Sequence, residues 1–236
     1  AGYLRIGVPV ADGGSGLVVR ATAAVQRRLA RAAPATALGL GMHQVWVQAA
    51  RSVSARGGTF LQAVTDHAAD DHLLAFGVSE PGNDAVLFDS STTAEPDGDG
   101  GYRFTGTKVF TSLAPAWDVM SVFGKDTSGP EPRLVHGFVL RSDGDVEHLD
   151  DWDTLGMRAT QSRTTKLHGV HVPADRIVRS LPVGPNQDPL VFGIFASFEL
   201  LIASVYVGIA ERAIALAATA VAGRTAADGT RRAEDP

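Results

Sequence analysis

The residue types best suited to chemistry fall in residues 73–112 and around Glu199. The first stretch reads as strand, polar turn, strand, turn, strand. Its apolar opening, residues 73–78, stops at Ser79-Glu80-Pro81-Gly82-Asn83-Asp84, where turn formers follow a hydroxyl and a carboxylate. Its last strand alternates Tyr102, Phe104, Gly106 against Arg103, Thr105, Thr107 and closes on Val109-Phe110-Thr111-Ser112. A flat aromatic ligand can lie against such a platform. Taken one by one, Phe76, Val78 and Phe110 read as core, and Ser79 and Ser112 as strand-end hydroxyls bonded to backbone. Glu199 lies in Phe195-Ala196-Ser197-Phe198-Glu199-Leu200-Leu201-Ile202. A carboxylate among such neighbours is costly unless paired or protonated, so it is expected to face an active cavity as a base or pocket acid, or to form a buried ion pair between helices. The seven histidines are scattered, with no H-x-x-x-H spacing, and no metal site is expected. The lack of cysteine removes disulfides, thiolate metal ligands and thiol nucleophiles together.

The elements that must position these residues follow from periodicity. Residues 3–16 read as a short apolar segment and a flexible glycine-rich turn. Val18, Thr22, Val25, Leu29 and Ala32 then recur at helical spacing up to Pro34. Leu38, Met42, Val45, Ala49 and Val53 mark a second helix, ended by Gly57-Gly58, and residues 59–68 a third. Gly39-x-Gly41 is not a dinucleotide fingerprint, because no strand precedes it and Gln44 occupies the third glycine position. Residues 119–123, 134–140, 146–149, 164–172 and 177–178 are short alternating segments separated by turn formers. They predict an antiparallel barrel or sandwich between helical parts, an α+β fold. Residues 182–189 read as a linker, 190–222 as one long helix and 224–236 as a loose loop. The expected domains are an N-terminal helical part at 1–70, a middle β part at 71–182 and the start of a helical bundle at 183–236.

Composition bounds the function classes. Hydrophobic residues make up 44% and charged residues 20% of the chain, as in an ordinary globular protein. With a net charge of -5, and Arg231-Arg232 too short to count as a basic patch, no nucleic-acid surface is expected. Residues 1–10 carry Arg5 in place of a long apolar leader core, and the chain starts without Met, so it is expected to be cut at that end. A cytoplasmic location is expected. Glu199, Glu211 and Arg212 interrupt the apolar segment 190–222, leaving no uncharged run of the roughly 18 residues that span a bilayer, so it is read as a buried helix.

Three segments resemble the acyl-CoA dehydrogenase family. Residues 79–84 are similar to a shortened form of its T-E-P-x-x-G-S-D signature, and residues 102–112 to its Y-x-(L/F)-x-G-x-K-x-(W/F)-(I/T)-(T/S) segment. Leu155-Gly156-Met157-Arg158-Ala159-Thr160 followed by Val170-His171-Val172-Pro173 resembles its G-x-R-x-(S/T) strand leading to V-x-V-P. The resemblance covers nearly the whole chain, in the family's order and spacing. The family continues into a bundle of long helices of which only the first is expected here.

The resemblance implies FAD lying on the β part. Phe76, Val78 and Ser79 would line the pyrimidine side, Phe110 would lie against the isoalloxazine, Thr111 and Ser112 would close the strand with the Ser112 hydroxyl near N5, and Arg224 would reach the pyrophosphate of a partner subunit's flavin. Asn83, in the shortened turn, stands about where relatives contact the thioester; His43 is either a packed helix histidine or a wall of the acyl channel. Arg158, Thr160 and Asp153 are read as strand and turn structure, and Trp152 as core. The usual catalytic glutamate falls after Pro236; Glu199 lies one residue past an alternative site on the first bundle helix. The implied function is a dehydrogenase that introduces an α,β double bond into an acyl-CoA or acyl-carrier thioester and passes electrons to an electron-transfer flavoprotein, as a homodimer or homotetramer. Two rivals are a flavin monooxygenase of the same fold and a non-catalytic subunit of a mixed oligomer.

Overall fold

The computed structural model describes residues 2–222 and 224. Three helices come first: α1 (Val19–Ala30), α2 (Pro34–Ser54) and α3 (Gln62–Ala69). Pro34 occupies the first turn of α2, where its missing N–H costs no hydrogen bond. Eight strands follow: β1 (Leu74–Phe76), β2 (Thr93–Pro96), β3 (Tyr102–Thr111), β4 (Val119–Asp126), β5 (Arg133–Leu140), β6 (Val146–His148), β7 (Arg163–Val172) and β8 (Ile177–Pro182). Helix α4 (Pro189–Ala222) closes the described chain. Asp188 caps it, its carboxylate accepting from the Leu190 N–H at 2.9 Å, with Pro189 just inside. Of the loop expected at 224–236, all but Arg224 lies outside the described residues.

The strands form one sheet in the order β6-β7-β3-β2-β4-β5-β8, with β1 pairing β4 from the side. It departs from the expected antiparallel arrangement at two contacts, since β1 and β2 both run parallel to β4. A second departure is Val86–Phe88, a 3₁₀ turn where the sequence pattern suggested strand; β2 holds only four residues.

Strand alternation divides the core in two. Val119 and Phe123 of β4 face a cluster shared with Val45 and Trp46 of α2, Ile194 of α4 and Leu61 just ahead of α3. Met120 and Val122 face an opposite cluster with Phe104, Trp117, Leu167 and Val170. Helix α4 packs along α1 and α2, and Gly208 makes this approach possible, because a Cβ there would meet the Arg27 carbonyl oxygen at 2.3 Å. By length and composition α4 is apolar enough to cross a membrane, while 44% of its most apolar window is buried against the rest of this fold.

Candidate functional site

Two buried polar networks hold the strand ends that carry the first two motifs. After β1, the Ser79 carbonyl accepts the Val109 N–H at 2.8 Å, joining the Ser79 turn to the end of β3. One residue on, Glu80 is wholly buried as a side chain and receives the Lys108 ammonium at 2.6 Å. The same carboxylate accepts from Ser90 Oγ at 2.6 Å, Thr92 Oγ1 at 2.7 Å, the Ser91 N–H at 2.7 Å and Asn83 Nδ2 at 2.8 Å. Burial alone would raise the Glu80 pKa, but the Lys108 charge and these donors outweigh it and hold it at about 2. Burial draws Lys108 down to about 8, against the pull of Glu80, so it remains charged at neutral pH. Lys108 also donates to the Phe123 carbonyl at 2.7 Å and sits 4.0 Å from the Phe123 ring centroid. Neither Glu80 nor Lys108 stands out in the sequence as a functional residue. The only signal was the E and K that recur in the two motifs.

At the end of β3 the pairing with β7 shifts register between Lys108 and Thr111, and the backbone takes left-handed φ values of 56° at Phe110 and 60° at Leu113. Such a conformation is costly for a side chain with Cβ and marks a place where the surroundings impose the geometry. It turns Phe110 outward: the residue is 62% exposed, its ring edge-on to Trp152 at 6.2 Å between centroids. Leu113 in turn lies against Gly39 of α2, where a Cβ would come within 2.8 Å of the leucine, which explains that glycine without any nucleotide role.

A cleft of ≈ 300 Å³ opens beside Phe110. One wall comes from the three motifs: Phe76 and Ser79, then Phe110 and Ser112, then Met157, Thr160 and Ser162. The other is α4, whose Phe198, Ile202 and Tyr206 recur every four residues on one face, with Leu38 and Met42 of α2 beside them. Phe198 stacks on Phe76 at 5.7 Å, closing the apolar end. Three hydroxyls line the sheet side in series, Ser112 Oγ to Ser162 Oγ at 2.9 Å and Ser162 Oγ to Thr160 Oγ1 at 2.7 Å. Another cleft of comparable size, between α2 and α3 around Arg51 and Gln62, is lined by none of the motif residues.

Of the residues singled out from sequence, Phe76, Ser79, Phe110 and Ser112 meet in this cleft. Val78 and Thr111 do not line it and are buried, 3% and 0% exposed; Val78 packs in the core from the segment after β1, and Thr111 alternates with the cleft residues Phe110 and Ser112. Asn83 is spent on its own turn, donating to Glu80 and to the Asp89 carbonyl and accepting from the Ala85 N–H. His43 is a packed helix histidine: Nε2 contacts the Leu4 carbonyl at 2.9 Å and Nδ1 accepts the Leu74 N–H at 3.1 Å, while burial lowers its pKa to about 4. It is no channel wall. Glu199 corrects the expectation most sharply, because it is exposed and absent from the cleft lining; Phe198 faces the cleft, and the next residue is turned by about 100°. Arg224 lies exposed past the end of α4, outside the cleft lining. Arg158 pairs with Asp153 on the surface at 2.9 Å, in keeping with a structural role. Trp152, expected in the core, instead flanks the cleft and donates to the Met157 carbonyl at 3.3 Å. Met157 lay inside the third motif but was not singled out, Ser162 stood just past it, and the α4 face carried no sequence signal beyond the four-residue spacing.

No protein-family model matches the chain. A dibenzothiophene monooxygenase of Rhodococcus qingshengii is 35% identical over 141 residues, 56% of this chain and 33% of that protein. The putative acyl-CoA dehydrogenase YdbM of Bacillus subtilis (strain 168) is 27% identical over 229 residues, 90% of this chain and 54% of that protein. The crystal structure of KijD3 in complex with FMN and dTDP-3-amino-2,3,6-trideoxy-4-keto-3-methyl-D-glucose superimposes with a TM-score of 0.81 at 28% identity, covering 94% of this chain and 55% of that one. The chain thus spans a third to about half the length of the proteins it matches. A monooxygenase is the nearer of these two curated relatives in identity, a correction to the weight that the motifs gave to the dehydrogenases. The order of helices, mixed sheet and long closing helix, with these solved neighbours, establishes that this chain has the acyl-CoA dehydrogenase-like α+β fold.

Proposed function

We propose that the complete protein is a flavin-dependent monooxygenase that oxidises the sulfur or nitrogen of an apolar or aromatic substrate. One observation carries the reading: the cleft where the three motifs meet offers aromatic faces and hydroxyls to a flat ring system, and the Rhodococcus relative, 35% identical over 141 residues, is a dibenzothiophene monooxygenase. The sulfur heterocycle named for the Rhodococcus relative supports an aromatic sulfur substrate, and the amino group of the sugar bound by KijD3 supports nitrogen as the alternative.

The residues present suit a flavin. Phe110, held out of the core at positive φ, gives the ring system a face to lie on, and a cleft of ≈ 300 Å³ is at the small end of cofactor-sized sites. FMN, the form bound by KijD3, is proposed in place of the FAD implied by the motif resemblance. When bound and reduced, the flavin supplies two electrons to dioxygen, one oxygen atom going to the substrate and the other leaving as water. Phe76 and Phe198 exclude water from the apolar end, where a hydrophobic substrate ring packs. Ser79 and Ser112 hold the polar edge by hydrogen bonds from a preorganised wall.

The test is to supply the full-length protein with chemically reduced FMN, air and an aromatic thioether or heterocycle, and to look for the sulfoxide by mass spectrometry. A product carrying one oxygen from ¹⁸O₂ is expected. Rapid anaerobic bleaching of bound flavin by an acyl-CoA, with no oxygenated product, would return the assignment to the dehydrogenase.

A further inference from the structure

The hydroxyls of the cleft form a chain whose proton direction is determined at its far end. Thr160 Oγ1 donates to the Met157 carbonyl at 2.8 Å, a contact between two oxygens that is attractive only with the proton between them. A hydroxyl has one proton and two acceptor sites. With its proton committed, Thr160 can only accept in its 2.7 Å contact with Ser162, so Ser162 donates there. Ser162 has then no proton left for the 2.9 Å contact with Ser112, so Ser112 donates to Ser162. Ser112 is left with lone pairs alone for anything in the cleft. All three residues are buried, at 4%, 5% and 0% exposure for Ser112, Ser162 and Thr160, so water does not reorient them. The anchor is firm as well: Met157, itself at a φ of 57°, also accepts the Thr160 N–H at 2.9 Å.

We infer that Ser162 and Thr160 are positioning residues that make Ser112 an acceptor, so that the cleft selects the reduced form of a flavin over the oxidised form. Two-electron reduction adds a proton to the central ring nitrogen N5, turning an acceptor into an N–H donor. An acceptor-only hydroxyl pairs with the reduced edge and opposes the lone pair of the oxidised one. The inference rests on the flavin reading above and assigns the discrimination to two side chains that need not touch the cofactor.

The test is anaerobic titration of the full-length protein with oxidised FMN and with dithionite-reduced FMN. Wild type is expected to bind the reduced form more tightly. Ser162→Ala frees the Ser112 proton and should lower the ratio of the two dissociation constants by about 3- to 10-fold, the scale of one hydrogen bond. A tenfold change equals a fall of about 30 mV in the two-electron potential of the bound flavin. Thr160→Val should act in the same direction by releasing Ser162, whereas Thr160→Ser, which keeps a hydroxyl on the Met157 carbonyl, should restore the wild-type ratio. This second pair keeps the test decisive if Ser162→Ala folds poorly. Equal affinity of wild type for both forms, or a ratio that neither Ser162→Ala nor Thr160→Val moves, overturns the relay while leaving flavin binding intact. Wild-type protein that binds neither form overturns the flavin reading and the relay with it.

Discussion

Glu80 and Glu199 each follow an apolar run, and their surroundings in the fold are opposite. Glu80 has no exposed side-chain surface and sits among the Ser90–Thr92 backbone and hydroxyl donors and the Lys108 ammonium. Glu199 is exposed on α4, one residue from the cleft-facing Phe198. The difference lies in backbone geometry. On a helix, neighbours in sequence diverge by about 100°, so an apolar run does not bury the carboxylate within it. A tight turn does the reverse, aiming successive N–H groups and hydroxyls at one point, where a buried anion becomes affordable with a cation beside it.

The largest test of that contrast removes the buried carboxylate. Glu80→Ala leaves Lys108 charged and unpaired in the core, and is expected to cost about 3–5 kcal/mol of unfolding free energy in urea. The double variant Glu80→Ala with Lys108→Met should recover a substantial part, since the stranded charge is gone; equal losses in both would mean that the pair holds nothing together. Next in size is the acid limb of stability. The folded pKa of Glu80, about 2, lies below its ordinary value of 4.5, so its contribution is complete above pH 4.5 and disappears as the pH falls toward 2. At about 1.4 kcal/mol per pKa unit, the sum is on the order of 3 kcal/mol. A Glu80→Gln protein should show a flatter stability profile between those limits, and an unchanged slope would sink the assignment.

Phe110 separates stability from function. Because its φ of 56° suits glycine, Phe110→Gly should leave stability unchanged or raise it by about 1 kcal/mol in thermal unfolding. Flavin affinity should fall at the same time, by roughly tenfold if the ring is a stacking face. A loss of stability with flavin binding retained would make Phe110 structural. The smallest effect belongs to Glu199→Gln, expected within about 0.5 kcal/mol of wild type and without effect on flavin titration. A large loss there would show that Glu199 is covered in the complete protein and would reopen its candidacy as a base.

The three motifs could be read as one site because each is local: a turn, a strand end and a loop, all specified by residues close in sequence. Phe76, Ser79, Phe110 and Ser112 were found that way. The Glu80–Lys108 pair spans 28 residues, and its burial depends on Thr92, just ahead of β2, and Phe123 of β4 arriving from elsewhere in the chain. His43 looked available because nothing near it in sequence shows that Leu4 and Leu74 take both ring nitrogens. Val78 and Thr111 were grouped with the ligand-facing residues although both are buried, Thr111 because it alternates with Phe110 and Ser112. The register shift at Lys108–Thr111 decides where that alternation restarts, and no pattern of residue types announced it.

The order of residues by itself determined where helices and strands run, from the 3.6- and 2-residue periods of α1, α2, α4 and the long strands, and which short turns carry hydroxyls and aromatics. Tertiary structure alone decided which face of α4 closes the cleft, which glutamate is buried, and that Ser112, Ser162 and Thr160 stand in a single hydrogen-bonded file. Periodicity is a property of neighbouring residues and survives in the bare chain. Burial and proton direction are properties of groups brought together from distant positions, and they exist only once the strands have paired.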